Sequence, residues 1–132
     1  LSEYGFADTI YKMCVNPEYP SYAYWMNNGM TTLCENWDMK ESCNHHMYSE
    51  IELWFYKHIA GIHISEGADA VTIQPCFLEG LTWAKAKHRG IEVFWDETEI
   101  KIKSNLCGKL IIGNHELLFD AGECSFRRDF SE

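Results

Sequence analysis

Over the first sixty residues the apolar positions recur at helical spacing, and beyond them they alternate. Tyr4, Ala7, Ile10, Tyr11 and Cys14 fall three or four apart behind Ser2, a good N-cap type, so residues 2–14 predict a helix. Asn16-Pro17 ends it, and Glu18-Tyr19-Pro20 predicts a turn. A short second helix is expected over 21–28, closed by Asn27-Asn28-Gly29. Residues 31–44 have no clean period and predict a structured loop with room for one helical turn. From about His45 to Ala60 a broad stripe of Met47, Ile51, Trp54, Phe55, His58 and Ile59 leaves Glu50, Glu52 and Lys57 outside it. That predicts the longest helix, capped by Asn44 or Ser42, with Gly61 as its C′ glycine.

After Gly61 the texture changes. Residues 62–70 are small and polar around Gly67 and suit a linker. Short runs of period two follow: 71–73, 81–87, 91–95, 99–103, 110–112 and 116–119. Asp96-Glu97-Thr98 separates one pair, and Gly113-Asn114 is a good two-residue hairpin turn for another. Five or six short strands with tight turns predict an antiparallel sheet or sandwich. The chain therefore reads as α then β, about three helices followed by a β piece.

Composition narrows the classes. The 132 residues are 46% hydrophobic and 14% aromatic, enough for a core and too much for a disordered tail. A net charge of −9 without any basic stripe argues against nucleic acid as a partner. No apolar run reaches the roughly 18 residues of a spanning helix, so no membrane partner is expected. The chain starts at Leu1-Ser2-Glu3, with neither a Met nor a signal peptide, which suggests that something upstream has been removed. The six cysteines show no C-x-x-C pair and no regular spacing; free thiols are expected rather than a disulfide framework, and the compartment stays open.

Chemistry concentrates in residues 29–48. Glu35, Asn36, Asn44 and His45 suit a buried face poorly, because each desolvated polar group is costly unless hydrogen-bonded. A plain loop would not carry Tyr22, Tyr24, Trp25 and Trp37 so densely. Aromatic platforms beside a few polar groups are what a sugar-binding cleft needs, since pyranose C–H faces stack on rings while hydroxyls seek partners. Locally, Glu35 reads either as a helix-surface carboxylate or as a catalytic or sugar-binding one. His45-His46 lacks a third ligand at helical spacing, so a hydrogen-bonding histidine at a helix start is expected there, and no metal. Cys34 and Cys43 lack the base and orienting group of a thiol nucleophile. Trp54, Phe55, Tyr56, Trp83, Trp95 and His115 read as core or edge residues, and no Gly-rich phosphate loop is present.

Residues 1–64 resemble the end of the catalytic domain of bacterial α-L-rhamnosidases, the inverting glycoside hydrolase family 78. The family's G-A-T-T-x-W-E-x-W motif is matched by Gly29-Met30-Thr31-Thr32-Leu33-Cys34-Glu35-Asn36-Trp37. Its S-x-N-H-x-M-F-G is matched by Ser42-Cys43-Asn44-His45-His46-Met47-Tyr48-Ser49, and its W-x-Y-x-x-x-A-G-I by Trp54 through Ile62. Tyr19-Pro20-Ser21-Tyr22-Ala23-Tyr24 resembles the family's Y-P-S-W-G-Y. The β half resembles the family's C-terminal β-sandwich more loosely, through Gly67, Val71-Thr72-Ile73-Gln74-Pro75 and Gly90 to Trp95. Cys34 and Tyr22 each replace a Trp, and Ser49 replaces a Gly.

The resemblance implies the last helices of an (α/α)6 barrel over 1–64 and a C-terminal β-sandwich over 65–132. It implies Glu35 as the general base that activates water, and His45 bonding rhamnose hydroxyls. Trp37, with Tyr22 or Trp25, would wall the sugar, and Asn44 would support the loop. No cofactor is expected. The partners it implies are a rhamnose-containing glycoside and the remainder of the barrel. Inversion also needs a general acid, with the two carboxyls roughly 6.5–9.5 Å apart; none of these residues matches it, so the chain alone is expected to be inactive on rhamnosides. The rival expectations are a non-catalytic carbohydrate-binding module built on the β half, another (α/α)6 glycosidase or lyase, and an inert scaffold.

Overall fold

A computed structural model describes residues 2–128, which divide into two compact units between Leu53 and Trp54. The first unit opens with a 3-10 turn, Ser2–Tyr4, then α1 (Ala7–Val15), α2 (Tyr22–Asn27) and the start of α3 (Glu50–Trp54). The predicted 2–14 helix is thus two pieces. Gly5 adopts φ +83°, a left-handed conformation open to glycine, and its N–H donates to the Ser2 carbonyl at 3.0 Å, closing the first turn before α1 begins. Helix α2 matches the predicted span, with Ser21 as N-cap: its hydroxyl accepts from the Tyr24 N–H at 2.8 Å.

The expected 45–60 helix starts five residues late and changes character half-way. Neither Ser42 nor Asn44 caps it, because the backbone over 46–52 is taken up in successive i→i+3 turns. The carbonyl of Tyr48 also accepts from the Tyr22 phenol, a tertiary bond that competes with helical pairing. After Trp54 the helix widens into a π-helix, Phe55–Ile59, closed by a bond from the Ala60 N–H to the Phe55 carbonyl at 2.9 Å. Gly61 follows with φ +72°, as predicted. A Cβ there would lie 2.1 Å from the Gln74 carbonyl carbon. Only glycine lets the two backbones meet, and the Gln74 N–H donates to the Gly61 carbonyl at 2.8 Å.

The second unit is two four-stranded sheets. β1 (Ile62–Ile64), β2 (Val71–Ile73), β6 (Gly108–Ile112) and β7 (His115–Phe119) form one in the order 1-2-6-7. β3 (Ala84–His88), β4 (Ile91–Trp95), β5 (Glu99–Ser104) and β8 (Gly122–Arg127) form the other in the order 3-4-5-8. Residues 62–64 are therefore a strand rather than linker: Ile62 pairs with Ile73 and Ile64 with Val71. Strand β8 is also additional to the expected set, and β3 begins three residues late. Pairing is antiparallel throughout except for β2 with β6, which run parallel and depart from the all-antiparallel expectation. The Gly113-Asn114 turn joins β6 to β7 as predicted, with Ile112 opposite His115.

Alternation defines the core. On β4, Ile91, Val93 and Trp95 are buried; on β5, Ile100 and Ile102 are buried while Lys101 and Lys103 are exposed. Val71, Ile73, Leu110 and Phe119 supply the buried face of the other sheet. Each such side chain contributes about 1.5–3 kcal/mol by leaving water. Two sheets with one buried face each are the ingredients of a sandwich. Trp95 ties the segment behind α3 to this core, its indole N–H donating to the Ile59 carbonyl at 2.8 Å. At the β4–β5 turn the Asp96 carboxylate accepts from the Thr98 and Glu99 N–H groups, holding its own pKa below the carboxylate range. All six cysteines are outside disulfides. No helix among the described residues is long and apolar enough to cross a membrane.

Candidate active-site loop

The residues singled out in the sequence all lie in the first unit, on α2 and on the long loop before α3. That loop folds back on itself. The Glu35 N–H donates to the Ser42 carbonyl at 2.7 Å, and the His45 N–H donates to the Leu33 carbonyl at 2.9 Å. The Thr32 hydroxyl donates to the Cys43 carbonyl. Three bonds thus lay residues 32–35 antiparallel to 42–45 without forming a regular ladder, and they place Glu35 and His45 on adjacent arms. Between the two arms the chain reverses through Asn36 to Met39, and Lys40 pairs with Asp38 at 3.1 Å, which lowers the Asp38 pKa.

Aromatic rings floor the loop. Trp25 and Trp37 stack with centroids 4.4 Å apart; Tyr48 lies 4.5 Å from Trp37, and Tyr22 meets both indoles edge-on at 5.6 and 5.3 Å. Offset and edge-to-face pairs of this kind add about 0.5–1.5 kcal/mol each beyond their burial. The Trp25 indole N–H donates to the Trp37 carbonyl at 3.0 Å, so the helix holds the loop by ring and by backbone together. The Tyr22 phenol donates to the Tyr48 carbonyl at 3.0 Å. Burial, with Cys14 and Tyr48 nearby, pushes its pKa up to about 12, so it remains a neutral donor.

The structure distributes the candidates unevenly. Glu35, Trp37 and His45 are half-buried, Asn44 is exposed, and Tyr22 is half-buried at the start of α2. Trp25 is only 2% exposed, beneath Trp37. The Asn44 N–H donates to the Ser42 hydroxyl at 3.3 Å, within the loop it was expected to support. His45 Nδ1 accepts from the Met47 N–H at 3.1 Å. An accepting Nδ1 leaves the proton of the neutral ring on Nε2, by assignment from the network, and makes that nitrogen a donor. His46 stacks on His45 with centroids 5.0 Å apart, and no group of three potential metal ligands occurs among the described residues. Sequence reasoning missed Tyr48, which supplies both a ring and an accepting carbonyl. Its signal was its place in the same motif as Asn44 and His45.

Comparison with known proteins bears on this loop directly. Residues 1–59 match the bacterial alpha-L-rhamnosidase 6 hairpin glycosidase domain. The rhamnosidase resemblance therefore holds, and the match contains the whole Glu35 loop and its aromatic floor. One alpha-L-rhamnosidase of Formosa agariphila is 37% identical over 98 residues, 65% of this chain and 11% of that relative. A second from the same organism is 32% identical over 120 residues, 80% of this chain and 13% of that relative, an alignment long enough to reach into the β unit. An alpha-L-rhamnosidase of Alteromonas sp. is 36% identical over 73 residues, 47% of this chain and 8% of that relative. The chain thus spans a small fraction of the length of the curated rhamnosidases it matches. No solved structure matches it.

Proposed function

We propose that this chain is the closing part of an inverting α-L-rhamnosidase, with Glu35 as the general base. The observation that carries the reading is the family match over residues 1–59, within which Glu35 and His45 stand on adjacent arms of one braced loop. In this reading the helical unit is the end of an (α/α)6 barrel and the β unit is the sandwich domain that follows it in sequence. The Glu35 carboxylate takes a proton from water as that water attacks the anomeric carbon. The Nε2–H of His45 donates to a sugar hydroxyl, Trp37 walls the sugar with Tyr22 beside it, Trp25 backs Trp37, and Asn44 braces the loop. The general acid comes from elsewhere in the barrel.

Exposed apolar surface supports the same reading. Tyr4, Phe6, Met13, Val15 and Met26 are between 48 and 80% exposed in the helical unit. So many large hydrophobes left exposed on one short unit suit a surface that other protein covers, and the rest of a barrel would cover these. The test is aryl α-L-rhamnoside hydrolysis by the longer polypeptide carrying this segment, with and without Glu35→Gln. Loss of the base is expected to lower the rate on the order of 10²–10⁴-fold with substrate binding kept. A change of only a few-fold would overturn the assignment.

A further inference from the structure

The loop that carries Glu35 also carries two thiols, one on each arm. Between its two cross-bonds, Glu35 N–H to Ser42 and His45 N–H to Leu33, one arm has the single residue Cys34 and the other has two, Cys43 and Asn44. Two residues opposite one is the arrangement of a β-bulge. Opposed residues of antiparallel arms have Cα atoms about 4.5–5.5 Å apart, within the roughly 4.4–6.8 Å over which a disulfide closes. Burial first, and then the neighbouring Cys43 thiol, push the Cys34 thiol pKa up. The Thr32 hydroxyl on the Cys43 carbonyl fixes the register that brings them together.

The two sulfurs differ in access. Cys34 is fully buried, whereas Cys43 is exposed, with its Sγ near the carbonyls of Glu41 and Met39 at 3.6 and 3.7 Å. We propose that Cys34 and Cys43 form an oxidative modification site that closes into an intramolecular disulfide on meeting a small-molecule disulfide such as oxidised glutathione. The Cys43 thiolate attacks one sulfur of the small disulfide; that S–S bond breaks and a glutathione thiolate leaves. Cys34 then loses its proton to solvent and attacks the Cys43 sulfur, forming the Cys34–Cys43 bond and expelling the second glutathione thiolate. Two protein thiols lose two protons and two electrons, and one small disulfide becomes two thiols. Closure staples the arms on either side of Glu35, Asn44 and His45. Any effect on hydrolysis rests on the proposed role of Glu35, whereas formation of the bond does not.

The experiment reads covalent state alone. The native protein is equilibrated in glutathione buffers of increasing oxidised fraction, its remaining thiols are alkylated after quenching, and the tryptic peptides are weighed. Lys40 lies between the two cysteines, so trypsin separates their peptides unless a disulfide joins them. The expected result is a joined Cys34–Cys43 pair that accumulates while exposed Cys107 yields only a glutathione adduct or an alkylated thiol. Recovery of both cysteines alkylated, or of a lasting adduct on Cys43 beside an alkylated Cys34, would overturn the proposal. In Cys34→Ala the Cys43 adduct should persist. Cys43→Ser changes an exposed position and so spares the fold; there Cys34 should stay unmodified, and its oxidation would equally sink the proposal. A silent Glu35→Gln variant would leave all of these outcomes in place.

Discussion

In the β unit most apolar residues point inward along paired strands, Leu118 being an exposed exception; in the helical unit many apolar residues face solvent while the loop closes over a few stacked rings. Of the ten large side chains most completely buried, eight (Trp95, Ile73, Ile91, Ile100, Ile102, Leu110, Val71 and Val93) belong to the β unit. The helical unit contributes Cys34 and Ser21. One unit completes its own core, and the other is organised around polar and aromatic contacts that position a loop. The helical unit buries few side chains (Cys34, Ser21, Trp25, Ala7 and Cys14), so it draws less on hydrophobic burial and more on hydrogen bonds and ring stacking.

The sharpest way to break that contrast is Trp95→Ala. It removes the largest fully buried side chain and the donor to the Ile59 carbonyl, leaving a cavity and an orphaned acceptor. The expected cost is about 3–5 kcal/mol. Amide hydrogen exchange, which reads the two units separately, should show lost protection over 91–104 with that over 7–27 unchanged. Equal losses in both would mean that the units share one core. A smaller change sharpens the other side. Ser21 is 2% exposed, caps α2 through the Tyr24 N–H and donates to the Asn16 carbonyl. Ser21→Ala should cost about 1 kcal/mol, read as faster exchange of the first α2 amides. It should also loosen the floor beneath Trp37, since Trp25 sits one turn along the same helix. Unaltered exchange there would show that the rings, not the cap, hold α2.

The same contrast governs what was legible in the sequence. Period-two runs whose buried faces are Ile, Val, Leu, Phe and Trp named β2, β4, β5, β6 and β7 correctly, because burial on one face is what alternation records. Strand β1 was hidden: Ile62-His63-Ile64 is too short to show a period, and the small residues after it read as a linker. Strand β8 pairs Cys124 with Ile102 and Phe126 with Ile100, yet its other residues are Gly, Glu, Ser and Arg, a weak pattern on its own. In the helical unit the apolar stripe from Met47 onward predicted more helix than forms. Backbone groups over 45–48 are diverted into loop and tertiary bonds that no periodicity records. Of the candidate site, Glu35, Trp37, Asn44 and His45 were legible through motif resemblance. The loop's return over 42–45, the burial of Trp25 and the placing of Cys34 and Cys43 on facing arms were not, since each depends on contacts across gaps in the sequence.

The smallest expected effect probes the strand that the sequence concealed. His63 lies on β1, an edge strand, half-buried. Burial lowers its pKa from the ordinary 6.5, with the nearby positive charge of His58 and Lys57 acting in the same direction and a Lys57 backbone hydrogen bond opposing it. The folded state therefore favours the neutral ring, and the unfolded chain takes up the proton first as pH falls. Stability from this residue is complete above about 6.5 and is lost as pH drops through the lower folded value. The carboxylates with lowered values, Asp38, Asp69, Glu92 and Asp96, lose their contribution only as pH falls below their ordinary 3.8 to 4.5, so they leave this window clear. Exchange protection of β1 and β2 should decline modestly between about pH 7.5 and 5.5, and His63→Gln should flatten that decline. A slope that survives the substitution would assign the acid sensitivity to another group, and β1 would then be held independently of its histidine.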